Sequence, residues 1–179
     1  MVDERLELKR SGNRLLAQRQ FDDAQKKFEE LIRKFPHAPE GYVGLAKVFS
    51  RTNRPEEVVS LLEPVAEDID YAPTFHLLGD ACRILANRGK REFVDRAIEY
   101  YRRYHERRPD PVSLFYQADL LAKKKKDHEA ALSCYRASWD LDPKGRLAYN
   151  GILNCLRRLG REEEIAEYKT LWKERKKTT

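Results

Sequence analysis

Residues 130–143 read AALSCYRASWDLDP. Ala131 and Tyr135 stand four apart, on one face of a helix, and Pro143 follows where that helix has to stop. The same order recurs along the chain. Ala24 is followed by Phe28 and Pro36, Val58 by Leu62, Ala97 by Tyr101 and Pro109, and Ile165 by Lys169. The steps between Ala24, Val58, Ala97, Ala131 and Ile165 are 34, 39, 34 and 34 residues, so the chain is a repeat array.

The other half of each unit also aligns. Leu8, Tyr42, Phe75, Phe115 and Tyr149 each precede by seven residues a second packing position, held by Leu15, Phe49, Cys82, Ala122 and Leu156. Seven residues are two helical turns, so each pair lies on one face. Each unit therefore reads as two helices joined by a turn. With Gly12 in the first unit, the LLGDAC stretch around Gly79 in the third and the second helix quoted above, the sequence resembles the tetratricopeptide repeat. Val58, Ile165 and Lys169 depart from the family's usual alanine and aromatic positions, and Lys169 lies in the last unit, where no neighbour stacks.

The resemblance implies an all-α fold, a right-handed α-solenoid of helix-turn-helix repeats. Five repeats are expected over 5–38, 39–71, 72–111, 112–145 and 146–175, as a single domain over 5–175 with a basic tail over 176–179. One irregularity stands out. The step from the second packing position to the alanine position is nine residues in four repeats but fifteen in the third, from Cys82 to Ala97. The six extra residues are expected to lengthen the helices beside Arg88 and Gly89, with a protrusion that meets a partner as the alternative.

Composition agrees with helices and restricts the chemistry. Hydrophobic residues make up 41% of the chain, enough for a continuous core, while 36 basic and 30 acidic residues leave a net charge of +6. The start, MVDERLELKR, has no hydrophobic signal segment, and no apolar window is long enough to span a membrane, so a cytoplasmic protein is expected. Cys82, Cys134 and Cys155 form neither a disulfide framework nor a zinc-binding spacing. His37, His76, His105 and His128 are not at metal-ligand spacing, and no nucleotide-binding or hydrolase motif occurs. No enzymatic activity, metal or cofactor is expected.

The resemblance further implies binding of a peptide or protein segment in a concave groove lined by the first helix of each repeat. The family's groove positions fall on Lys9, Arg10 and Asn13 in repeat one, Lys47 and Arg51 in repeat two, and His76 and Arg83 in repeat three. They continue with Tyr116 and Gln117 in repeat four and Asn150 and Asn154 in repeat five. Bases outnumber the acids Glu40 and Asp80 on this surface, which inclines it to acidic ligands. Arg51, Arg83, Lys123, Lys124, Arg157 and Arg158 also lie in last helical turns, where cations complement the helix dipole by about 0.3–1 kcal/mol without any ligand.

Lys9 and Asn13 match a carboxylate clamp found in some members of the family, but Gly44, Pro73 and Leu77 replace its remaining residues. The run of lysines at 123–126 reads as a solvated turn rather than a nucleic-acid contact. The expected function is a protein-interaction scaffold or adaptor. Alternatives are a regulatory segment of a larger signalling or secretion protein, since the chain starts directly at a repeat and carries no effector domain, and an RNA-binding helical-repeat protein. Self-association through the terminal repeats is a further expectation.

Overall fold

In the computed structural model, residues 3–177 are described, with side chains through Arg175; the expected tail over 176–179 lies outside the described side chains. All regular structure among the described residues is helical. The chain divides into two compact units, the first ending at Phe93 and the second beginning at Val94.

The first unit contains α1 (Glu4–Ala17), α2 (Phe21–Lys34), α3 (Pro39–Arg51), α4 (Pro55–Leu62), the short α5 (Ala66–Ile69) and α6 (Ala72–Asn87). Asp3 caps α1 by accepting the backbone N–H of Arg5 at 3.1 Å, and prolines occupy the first turns of α3, α4 and α6, where no N–H is needed. Pro64, which has no N–H to continue the ladder, converts the end of α4 into a 3₁₀ turn at Glu63–Val65 before α5.

Packing in this unit turns on one ring. Phe28 of α2 is fully buried, and Gly12 of α1 and Gly44 of α3 both lie against it. A Cβ on Gly12 would come within 2.7 Å of the ring and one on Gly44 within 2.2 Å, so the ring occupies space that only glycine leaves empty. Ala24, Val58, Leu31 and Leu62 are fully buried around the same helices.

The second unit contains α7 (Phe93–Arg107, from Val94), α8 (Pro111–Leu120), α9 (His128–Leu141), α10 (Arg146–Arg158) and α11 (Glu162–Lys177). Asp110 and Asp127 cap α8 and α9 through Ser113 N–H at 2.6 Å and Ala130 N–H at 3.0 Å. Tyr135 of α9 repeats the packing of Phe28: a Cβ on Gly151 of α10 would fall 2.5 Å from its ring. Beyond it Trp139 meets Tyr149 and Tyr168, and Trp172 of α11 stacks on Tyr149 at 4.5 Å. The alanine positions Ala97 and Ala131 are fully buried, whereas Lys169, at the corresponding aromatic position of the last repeat, is exposed.

Every turn within a helix pair, and the turn after α6, closes alike. Arg19, Asn53, Gly89, Lys126 and Gly160 adopt positive φ. The next residue's N–H then reaches back five positions in four of these turns: Gln20 to Leu15, Arg54 to Phe49, Lys90 to Leu85 and Arg161 to Leu156, at 2.9–3.1 Å. These are Schellman closures, which satisfy helix-end carbonyls and reverse the chain. Relative to α3 and its turn, α6 runs three residues further past its packing position, the turn is two residues longer and α7 starts one residue earlier; together these absorb the six extra residues.

Exposed charges tie these turns to the preceding second helix. In the first unit Arg54 donates to Gln25 at 3.2 Å and Lys90 to Glu56 at 2.8 Å. In the second, Lys125 pairs with Asp95 at 2.8 Å and Arg161 with Glu129 at 3.1 Å. The Lys90 hydrogen bond holds the Glu56 carboxyl below its ordinary pKa. Such pairs are each worth little, on the order of 0–1 kcal/mol, so the rings in their glycine sockets carry more of the stability.

Gly44→Ala is therefore expected to lower stability by about 1–3 kcal/mol through overpacking. Phe28→Leu costs stability alone but shrinks the ring that the new methyl meets, so the double variant should be more stable than the sum of the single effects predicts. Chemical denaturation of the four proteins of the cycle measures this; strict additivity would show that Gly44 and Phe28 are not coupled.

Candidate functional site

In the first unit, the expected groove residues form small charge-paired groups. The Lys9 ammonium lies 3.8 Å from Glu40 on the first turn of α3, and the Arg5 guanidinium lies 3.9 Å from the same oxygen. The other oxygen of Glu40 is buried without a hydrogen-bond partner among the described residues. Arg10 and Lys47 are exposed on α1 and α3. Asn13 and Arg51 come together with Leu16 and Phe21 on a shallow cleft of 520 Å³. On α6, Asp80 lies 3.5 Å from His76 and 3.2 Å from Arg83, so the mapped surface's two acids both sit beside its bases.

The second unit assembles a larger cleft, of 860 Å³, between α8, α9 and α10. Phe115, Ala122, Tyr135, Leu147 and Cys155 give the apolar part of its lining, and Asp119 and His128 line it as well. Gly151 lets the Tyr135 ring into that lining. Asn150 and Asn154, one turn apart on α10, stand on one wall and are exposed. Tyr116 and Gln117 are half-buried on α8. Tyr116 stacks on Tyr101 at 5.8 Å and lines a neighbouring cleft instead, so the structure separates it from the asparagines.

Four bases edge the larger cleft: Lys123, Lys126, Arg157 and Arg158. The two lysines are set by a local departure from α-helix. After Leu120 the helix widens into a π turn at Leu121–Lys125, closed by Asp127 N–H donating to Leu121 O at 3.1 Å with Lys126 at φ 60°. This turn divides the lysine run: Lys123 and Lys126 line the cleft while Lys125 pairs with Asp95. Lys123 also bonds Asp119 at 2.7 Å, and Arg157 donates to Asn154 at 2.9 Å, which orients the guanidinium and leaves further donors on it.

The sequence puts Lys123, Arg157 and Arg158 on the groove surface, where the helix dipole also accounts for them, and Lys126 in a solvated turn. The pattern that distinguishes them is their common location at one cleft together with apolar side chains, which requires the fold.

Tyr135 and Cys155, which line this cleft, are held in their protonated forms. The Tyr135 hydroxyl donates to Asp119 at 3.5 Å, and burial, then the Asp119 charge, push its pKa up. Burial likewise raises the thiols of Cys155, on the floor, and Cys134, so both remain protonated at neutral pH. Among the described residues no group of three or more His, Cys, Asp or Glu could hold a metal, and no helix is long and apolar enough to cross a membrane. The arrangement is suited to binding by charge and apolar contact.

Comparison with known proteins identifies the architecture. A tetratricopeptide-repeat family model matches residues 15–73. The solved structure of MamA is similar with a TM-score of 0.78 at 17% identity, covering 99% of this chain and 94% of that one. A thermophilic tetratricopeptide-repeat protein from Thermus thermophilus gives 0.63 at 15% identity, covering 95% and 90%. YrrB, a tetratricopeptide-repeat protein with an unusual peptide-binding site, gives 0.72 at 18% identity, covering 92% and 82%. No curated protein matches the sequence.

The buried, protonated thiols yield a direct check. Labelling with a chromogenic disulfide at neutral pH should be slow for the buried Cys82 and Cys155 in the folded protein, with the half-buried Cys134 reacting ahead of them, and fast for all three in denaturant. Rapid labelling of the native protein at Cys155 would show an accessible thiolate on the cleft floor, contrary to its burial.

Proposed function

From the premise that this chain is a tetratricopeptide-repeat helical protein, we propose that it is a non-enzymatic scaffold or adaptor, binding a peptide or protein segment along the first helices of its repeats. The segment is acidic, and its principal seat is the cleft between α8 and α10. The observation that supports this reading is that four bases outnumber the one acid, Asp119, in the mixed polar and apolar lining of a cleft of 860 Å³. Carboxylates gain charge-assisted hydrogen bonds from Arg157 and Arg158, while Asn150 and Asn154 supply neutral donors and acceptors for the segment's backbone.

Lys9, Asn13 and Lys47 are the corresponding polar anchors on α1 and α3 in this reading, with a ligand carboxylate competing against Glu40 for Lys9. The peptide-binding site ascribed to YrrB, a protein of like fold, supports peptide recognition as the mode. Three cysteines without a disulfide suit a reducing cytoplasm. Charged residues on α11, among them Glu163, Glu167, Lys169 and Lys173, are exposed. Self-association through this helix is not part of the proposal.

A fluorescently labelled glutamate-rich peptide titrated with the protein at low salt should bind with an affinity that falls as salt is added. Reversal of the rim by Arg157→Glu with Arg158→Glu should weaken it by about tenfold or more, equivalent to about 1.4 kcal/mol. Equal affinity of the wild type and the reversed variant, both shown folded by circular dichroism, would reject the cleft as the acidic seat.

A further inference from the structure

The basic cleft continues into a second, less polar one. A cleft of 470 Å³ opens at the N-terminal ends of α8 and α10, and Phe115 and Leu147 line both. Within it Val112 and Leu147 are 48% and 66% exposed, unusual for large aliphatic side chains directly after a helix start. Neither supports the core: the neighbouring Ser113 and Ala148 are the buried residues at those turns. Tyr116, braced by Tyr101 and Phe115, forms the back of the same shelf.

The far lip is again basic. Lys144 and Arg146 flank it, and the one acid there, Asp142, has a carboxylate oxygen that accepts the backbone N–H of Lys144 at 3.3 Å. Along the axes of α8 and α10 the order is therefore bases, apolar shelf, then asparagines and bases.

On the premise of the peptide-binding reading above, we propose that this shelf is a second recognition site on the same ligand, taking an aliphatic anchor that lies between two acidic positions of the bound segment. Charge complementarity fixes the ends: Lys144 and Arg146 face acids on one side of the anchor, Arg157 and Arg158 on the other. The helix geometry fixes the register. Leu147 and Arg158 are eleven residues apart on α10. At about 1.5 Å per helical residue they are separated by about 16 Å, which an extended peptide spans in about five residues.

The ligand class is thus an extended acidic segment with a leucine-like anchor about five residues from its acidic pair. Burial of that anchor on Val112 and Leu147 gives the apolar contribution, and the flanking carboxylates give orientation.

The probes are labelled peptides of about twelve residues in a glycine-serine background, since that length spans both clefts. One carries paired leucines about five residues from paired glutamates, one has the leucines replaced by serine, and one moves the leucines next to the glutamates. Anisotropy should show the correctly spaced peptide binding about tenfold more tightly than either control. Val112→Ser, which alters the shelf alone, should erase that preference while leaving the serine control's affinity unchanged; Val112 is exposed, so folding is retained.

If all three peptides bind equally and the shelf variant changes nothing, the anchor site is wrong while the acidic cleft stands. Failure of every peptide to bind overturns both. Sedimentation velocity completes the test: a wild-type dimer that the shelf variant converts to monomer would assign the shelf to a second copy of this chain and overturn the proposal.

Discussion

The structure depends on aromatic rings seated where glycine leaves room. Phe28 lies against Gly12 of its own helix pair and Gly44 of the next, and Tyr135 lies against Gly151 of the next. A two-helix unit cannot bury its apolar face by itself, so the contact from one unit's second helix to the following unit's first helix is what makes the array fold. The same contact shapes the ligand surface. Because the Tyr135 ring sits at the glycine, it becomes part of the cleft floor, and Asn150 and Asn154 on the next turns of α10 stand at its edge.

Charge in this protein serves two purposes, and separating them narrows the ligand surface. A chain with 36 basic residues offers many possible contacts. Arg54, Lys90, Lys125 and Arg161 instead tie turns to the preceding second helices. Lys9 meets Glu40, and Arg83 meets Asp80. The bases edging the α8–α10 cleft are gathered at one cleft together with apolar side chains, of which Leu147 is exposed.

The repeat architecture was legible because its determinants are local and periodic. Ala24, Val58, Ala97 and Ala131 are spaced by the repeat and are all fully buried. The extra residues in the third repeat were correctly expected near Arg88 and Gly89, where α6 gains almost one turn. Less visible were features that depend on a single backbone event or on three-dimensional proximity. The π turn at Leu121–Lys125 directs Lys123 and Lys126 differently from Lys125, which no 3.6-residue pattern expresses. Pro64 ended α4 early, although Leu62 kept its packing position. Of the residues that the family positions group together, Asn150 and Asn154 line the larger cleft, while Tyr116 stacks on Tyr101 and lines the apolar shelf.

Recognition on the α8–α10 surface is tested most directly by the nitrogen-15 NMR spectrum of the full chain during addition of the correctly spaced leucine–glutamate peptide. The account predicts amide shifts concentrated on α8 and its π turn and on α10, including the neighbourhoods of Val112, Leu147, Asn154 and Arg158. Shifts confined to α11, or spread evenly over exposed lysines throughout the chain, would contradict it.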